Sequence, residues 1–112
     1  MLKTTYPASE PARAELDRSR GVLLVEFGAA WCGICQSTQP AIAAALRANP
    51  EVEHLKVADG QGKPLGRSFG VKLWPTLIAL RDGREVGRLV RPTSPEAITT
   101  LLVSASNGGA PL

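Results

Sequence analysis

Trp31-Cys32-Gly33-Ile34-Cys35 contains the only two cysteines of the chain, three positions apart. On a helical turn that spacing brings the two Cα atoms to roughly 5 to 5.5 Å, inside the ~4.4 to 6.8 Å window of a disulfide. The pair can therefore close and open locally. The stretch follows an apolar run, Val22 to Val25, and precedes a helical pattern, which predicts that Cys32 sits where a strand hands over to a helix N-terminus. Unpaired backbone N–H groups and the helix dipole favour an anion there, and a thiolate is an anion. An ordinary thiol is only about 3% ionised at pH 7, so lowering its pKa by ~1.5 units raises the nucleophile roughly fifteen-fold. Two other uses of such a pair are a passive bridge and half of a zinc site. Zinc needs two further ligands, and the chain offers one histidine, His54.

The elements that must position the pair are legible around it. Val22-Leu23-Leu24-Val25 reads as a central strand buried on both faces, with Glu26 directly after it. Beyond Cys35, the residues Ala41, Ile42, Ala45 and Leu46 recur at helical spacing. Pro40 predicts a kink in that helix, and Asn49-Pro50 its stop. Upstream, Leu2 to Tyr6 reads as a short edge strand, and Ser9 as the N-cap of a helix through Ala12 and Leu16 to about Arg18, closed by Gly21. Downstream, Leu55 and Val57 alternate with Lys56 in a further strand, Pro64 to Phe69 gives a short helix, and Leu77 to Leu80 another strand. Asp82-Gly83 carries the signal of a two-residue hairpin turn into a strand near Glu85 to Val90. Ser94-Pro95-Glu96 starts a closing helix with Ile98, Leu101, Leu102 and Ala105 inward, and the tail from Ser106 reads as frayed. Strand, helix, strand, helix, strand, helix, hairpin, helix is an α/β sandwich.

The 112 residues make one domain with a real core, and 44% apolar with 21% charged residues is a globular balance. A net charge of +3 without a dense basic run gives nucleic-acid or anionic-membrane binding little support. Residues 1 to 20 lack the continuous apolar core of a secretory signal and nothing approaches a membrane span, so the expected location is cytoplasmic. Two cysteines cannot build a multi-bridge framework, which favours a catalytic or metal-binding pair over a staple.

The run Val25-Glu26-Phe27-Gly28-Ala29-Ala30-Trp31-Cys32-Gly33-Ile34-Cys35, followed by Pro40 and by Trp74-Pro75-Thr76, resembles the thioredoxin family in order and spacing over about residues 20 to 105. The resemblance implies a thioredoxin-like three-layer sandwich, a mixed central β-sheet flanked by helices, filling the chain as a single domain. It implies thiol–disulfide exchange, with Cys32 attacking a substrate disulfide and Cys35 resolving the mixed disulfide. Glu26 stands where the family usually carries a buried aspartate that helps deprotonate the resolving cysteine. Burial is expected to raise its pKa and make it a proton acceptor near neutrality. Pro75 matches the family's cis-proline, and Trp31, Gly33, Ile34, Trp74 and Pro75 are expected to form an apolar rim for an extended peptide. Lys56 matches a basic neighbour of that acid, although an exposed strand lysine is the simpler reading. His54 reads as a surface residue, and Arg81, Arg84, Arg88 and Arg91 as solvation of the hairpin and its exit.

Besides Glu26, other residues depart from the family pattern: Gly28 replaces a frequent aromatic, Ile34 the usual proline, and Arg91-Pro92 a frequent glycine beside the groove. The expected protein is a monomeric protein disulfide oxidoreductase without metal or organic cofactor, acting on disulfide-containing proteins and re-reduced by an external reductase or dithiol. The rival reading is a partner-binding or redox-sensing module whose cysteines do not turn over.

Overall fold

The computed structural model describes residues 3–108. Helix α1 spans Arg13–Asp17, strand β1 Val22–Gly28, helix α2 Gly33–Ala48, strand β2 Glu53–Ala58 and helix α3 Pro64–Ser68. Strand β3 covers Thr76–Arg81, strand β4 Arg84–Val90 and helix α4 Pro95–Ser106. The four strands form one sheet in the order β2-β1-β3-β4. The β1/β2 pair is parallel, with α2 as its crossover, whereas β3 runs antiparallel to both β1 and β4. This is the mixed sheet between helices that the family resemblance implies.

Because β1 is central, successive side chains enter different cores. Val22 and Leu24 join Val52, Leu77 and Ala79 beneath α2 and α4, where Ile42, Leu46, Ile98 and Leu102 complete one cluster. Val25 and Phe27 join Val57, Ile78 and Leu80 beneath Leu16 of α1 and Leu65 of α3. Fully burying one such aliphatic side chain contributes about 1.5 to 3 kcal/mol, so the two layers hold β1 firmly from both sides. Glu26 shares the α2 side of the sheet with Leu24, and its partner across β2 is Lys56. A carboxylate is thereby fixed in the layer that also holds the start of α2.

The hairpin forms as expected, with Asp82 and Gly83 both at positive φ, 49° and 83°. A side chain on Gly83 would overlap the carbonyl of Asp17, so this glycine also lets the turn close against α1. Ser94 caps α4 by accepting from the Ala97 amide at 3.2 Å. Helix α2 runs unbroken through Pro40 to its C-cap at Asn49.

Two expectations fail near the N-terminus. Residues 3–6 form no strand; Leu2 lies outside the described residues. The first helix begins at Arg13 with Ala12 in the cap position, and Ser9 caps nothing. Pro11 biases Glu10 toward extended backbone, which delays the helix. Glu10 is instead used across the fold, accepting from the Leu65 amide at 2.9 Å. At the other end α4 continues to Ser106, and the rest of the expected frayed tail, 109–112, lies outside the described residues.

Candidate active site

The loop between β1 and α2 is tied down before the helix starts. The Cys32 amide donates to the Ala29 carbonyl at 3.1 Å, and Gln36 Nε2 to the Ala30 carbonyl at 2.7 Å. Cys32 then takes the N-cap position with extended backbone, φ −81° and ψ 114°, and its Sγ accepts from the Cys35 amide at 3.2 Å. The Cys32 sulfur thus occupies the place of a capping oxygen, a position that favours its thiolate form. Partial burial opposes its charge, but hydrogen bonds from the Cys35 thiol and from the Cys35 and Ile34 amides, with the Arg91 charge, bring the Cys32 pKa below that of an ordinary thiol. Cys35 lies one turn inside the helix and is buried. Its burial, its hydrogen bond to Cys32 and the negative charges of Cys32 and Glu26 push its thiol up to about 11, against an opposing backbone contact at Ala29. Both thiols are free. One sulfur is set up as a nucleophile and the other as a held proton.

Behind Cys35 lies a charged cluster whose core is Glu26, fully buried. Its Oε1 is 2.8 Å from His54 Nε2, while Oε2 accepts from Gln39 Nε2 at 2.7 Å and from Lys56 Nζ at 3.3 Å. The Lys3 amide donates to His54 Nδ1 at 2.8 Å, which assigns the ring proton to Nε2 and directs it at the carboxylate. Gln39 also bonds Lys56 Nζ at 2.9 Å and the Cys35 carbonyl at 3.0 Å, joining the cluster to the cysteine turn.

This cluster corrects three expectations. Burial by itself raises the Glu26 pKa, but the hydrogen bond from His54, the Lys56 charge and the hydrogen bond from Gln39 outweigh it, so the carboxyl ionises below its ordinary value. It is a fixed anion near neutrality, not a poised proton acceptor. Lys56 and His54, read as exposed, are 4% and 2% exposed. Both alternate with Leu55 and Val57 on β2, and that two-residue period beside a buried glutamate was the available signal. Gln39 gave none, because polar residues are ordinary on a helix.

At the other edge of the site Trp74-Pro75 is a cis peptide. The Trp74 indole donates to Asp59 at 2.9 Å and meets Trp31 edge-on at 5.5 Å between ring centroids, bringing the two tryptophan motifs together. Trp31 is 77% exposed, which excludes core packing, and Ile34, Leu73 and Val90 extend the apolar surface. Gly33 is exposed beside them, whereas Pro75 is buried. Arg91 belongs to the site and not to general solvation. Its amide donates to the Pro75 carbonyl at 2.9 Å and its Nε to the Trp74 carbonyl at 2.8 Å, at a φ of 51°. Two more of the arginines satisfy carbonyls: Arg88 that of Phe69 at 2.7 Å and Arg81 that of Ser106 at 2.8 Å.

A capping thiol, a buried second thiol one turn on and an apolar rim at a cis-proline define a dithiol–disulfide centre. Comparison with known proteins gives the family. The thioredoxin family model matches residues 6–104, and the chain belongs to that family. It is 37% identical over 83 residues to a thioredoxin of Chlamydia muridarum, covering 73% of this chain and 80% of that one. It is 31% identical over 88 residues to thioredoxin H-type 1 of Nicotiana tabacum, covering 79% and 70%. Among solved structures, reduced thioredoxin 2 from Pseudomonas aeruginosa PAO1 superposes with a TM-score of 0.82 at 54% identity, covering 97% of this chain and 100% of that one. The protein is a thiol–disulfide oxidoreductase of this family, whose members act on disulfide-containing substrates and are reduced again by a reductase. Among the described residues no helix is long and apolar enough to cross a membrane.

Proposed function

We propose that this chain, as a single monomeric domain in a reducing compartment such as the cytoplasm, reduces protein disulfides through Cys32 and Cys35. The observation that carries the reading is the asymmetry of the two sulfurs, one capping α2 and lowered in pKa, the other buried and raised. Cys32 thiolate attacks one sulfur of a substrate disulfide, forming a mixed disulfide and releasing the other sulfur as thiolate. Cys35 then loses its proton and attacks Cys32 Sγ, which closes the Cys32–Cys35 disulfide and expels the substrate as a dithiol. Two electrons pass to the substrate, and an external dithiol or reductase returns them.

Loss of the Cys32 charge in the mixed disulfide removes one of the influences holding Cys35 protonated, so resolution is enabled by the first step itself. Glu26 acts in this scheme as a positioning residue. Its charge helps keep Cys35 protonated at rest, and its bonds hold Lys56 and Gln39 beside the cysteine turn. Trp31, Gly33, Ile34, Trp74 and Pro75 receive an extended segment of the substrate, an apolar contact that selects neither nucleic acid nor membrane.

The experiment is reduction of insulin by dithiothreitol with and without the protein, together with single cysteine variants. Catalytic acceleration and covalent trapping of partners by Cys35→Ser, but not by Cys32→Ser, are expected. Stoichiometric capture without acceleration would instead establish a binding or sensing module, and equal trapping by both variants would overturn the assignment of roles.

A further inference from the structure

Tyr6 places a polar atom at this site that the exchange scheme leaves unused. Among the described residues its hydroxyl is buried without a hydrogen-bond partner. The ring itself is held by Lys56, whose Nζ lies 4.6 Å from its centroid. Gly28 provides the room: a Cβ there would stand 2.7 Å from Cys35 Sγ and 2.9 Å from Tyr6 Oη. The orphan donor and the resolving sulfur therefore converge on the same point. Tyr6 and Cys35 also line one pocket of about 350 Å³, together with Gln39 and Lys56.

An unpaired buried hydroxyl is destabilising in the resting protein, and a charged acceptor beside it would relieve that state. At rest the neighbouring sulfur is a neutral thiol, a weak acceptor. During resolution it becomes a thiolate. We propose that Tyr6 is a further residue of the exchange reaction, its hydroxyl donating a hydrogen bond to the Cys35 thiolate as that sulfur attacks Cys32.

The proposal rests on the reading of Cys35 as the resolving cysteine. The proton on Cys35 leaves through the pocket to bulk solvent. The Cys35 electron pair then forms the bond to Cys32 Sγ, the bond from Cys32 to the substrate breaks, and the substrate sulfur departs as thiolate. Tyr6 keeps its own proton throughout. Its burial and the negative charges of Glu26, Cys35 and Cys32 raise its pKa, so it remains a donor even beside a thiolate.

Tyr6→Phe removes the hydroxyl while retaining the ring that faces Lys56. Single-turnover reaction with 5,5′-dithiobis(2-nitrobenzoate) separates the steps, because attack by Cys32 releases one nitrothiobenzoate and resolution by Cys35 releases the second. In Tyr6→Phe the first phase is expected to stay within about twofold of wild type, while the second slows roughly tenfold at pH 7, the size of one hydrogen bond to a charged group. The pH midpoint of the second phase is expected to rise by about one unit for the same reason. A Cys32→Ser background gives an independent reading, in which the pH midpoint of Cys35 alkylation by iodoacetamide also rises on Tyr6→Phe. An unchanged second phase and unchanged midpoints would overturn the proposal, as would parallel slowing of both phases. Release of two equivalents by Cys35→Ser would overturn the underlying reading of Cys35 instead.

Discussion

Glu26→Gln tests whether the buried carboxylate is an ion or a neutral acid. The structure makes it an ion clamped by three donors: His54 Nε2 at 2.8 Å, Gln39 Nε2 at 2.7 Å and Lys56 Nζ at 3.3 Å. A glutamine at the same place keeps one acceptor oxygen, enough for His54, but turns an NH2 toward the Gln39 and Lys56 donors and leaves the Lys56 charge without its counter-ion. Breaking a fully buried pair from one side costs about 3 to 5 kcal/mol, and no discount for solvent applies because Glu26 is 0% exposed. A protein of this size would lose on the order of 10 to 30 °C in Tm. The pH dependence has a definite sign. The folded pKa of Glu26 lies below its unfolded value, so its contribution is fully present above the unfolded pKa of ~4.3 and fades as pH falls through the folded value. Urea unfolding of wild type and Glu26→Gln from pH 3 to 8 is expected to show a constant gap above about pH 5.5 that narrows in acid. A variant as stable as wild type, or more stable, near pH 7 would show that desolvation prevails and that Glu26 is a neutral acid in the fold.

Other perturbations address the Cys32 side of the site. Ile34→Pro removes an amide that lowers the Cys32 pKa, and is expected to raise that pKa and make the protein a stronger reductant by roughly 10 to 30 mV, equivalent to ~0.5 to 1.5 kcal/mol. Glutathione equilibration and alkylation rate against pH measure both, and an equal or higher potential would refute the argument from the amide. Arg91→Gly removes a positive charge acting on the Cys32 thiolate and the left-handed strain of a non-glycine residue at φ 51°. A higher Cys32 pKa is expected from titration, while relief of strain and loss of the Arg91 Nε bond to the Trp74 carbonyl offset each other to within about 1 kcal/mol in urea unfolding. An unchanged Cys32 pKa would show that the Arg91 charge does not act on that sulfur.

What the sequence revealed divides along the physics of locality. The cap at Cys32, the Asp82-Gly83 turn and the Ser94-Pro95 start are decided by residues within one turn of each other, and each forms as read. The run Val22 to Val25 announced its two-sided burial because no polar residue interrupts it. The charged cluster was less legible, since it depends on register: Leu24 opposite His54 and Glu26 opposite Lys56 on adjacent strands. Without that pairing, His54 and Lys56 look like the polar half of an alternating strand, and the sign of the Glu26 shift follows from missing them. Arg91 shows the same limit, because nothing local says that its side chain turns back to the Trp74 carbonyl. The failed edge strand at 3–6 has a further reason: Tyr6 and the Lys3 amide are engaged by side chains of the site instead of by a neighbouring strand.

The bond from the Lys3 amide to His54 has a practical reach. It connects the backbone at Lys3, through one imidazole, to the carboxylate that organises the resolving side of the redox centre. Redox constants measured on protein altered next to Lys3 therefore sample a perturbed centre whenever the change displaces that amide. The Asn107 cap of α4 bonds to helix carbonyls and not to this cluster, so a change there leaves the connection intact. Assays meant to compare this protein with its relatives are best run with the segment around Lys3 unaltered, and a form altered there serves as a deliberate perturbation of the same connection.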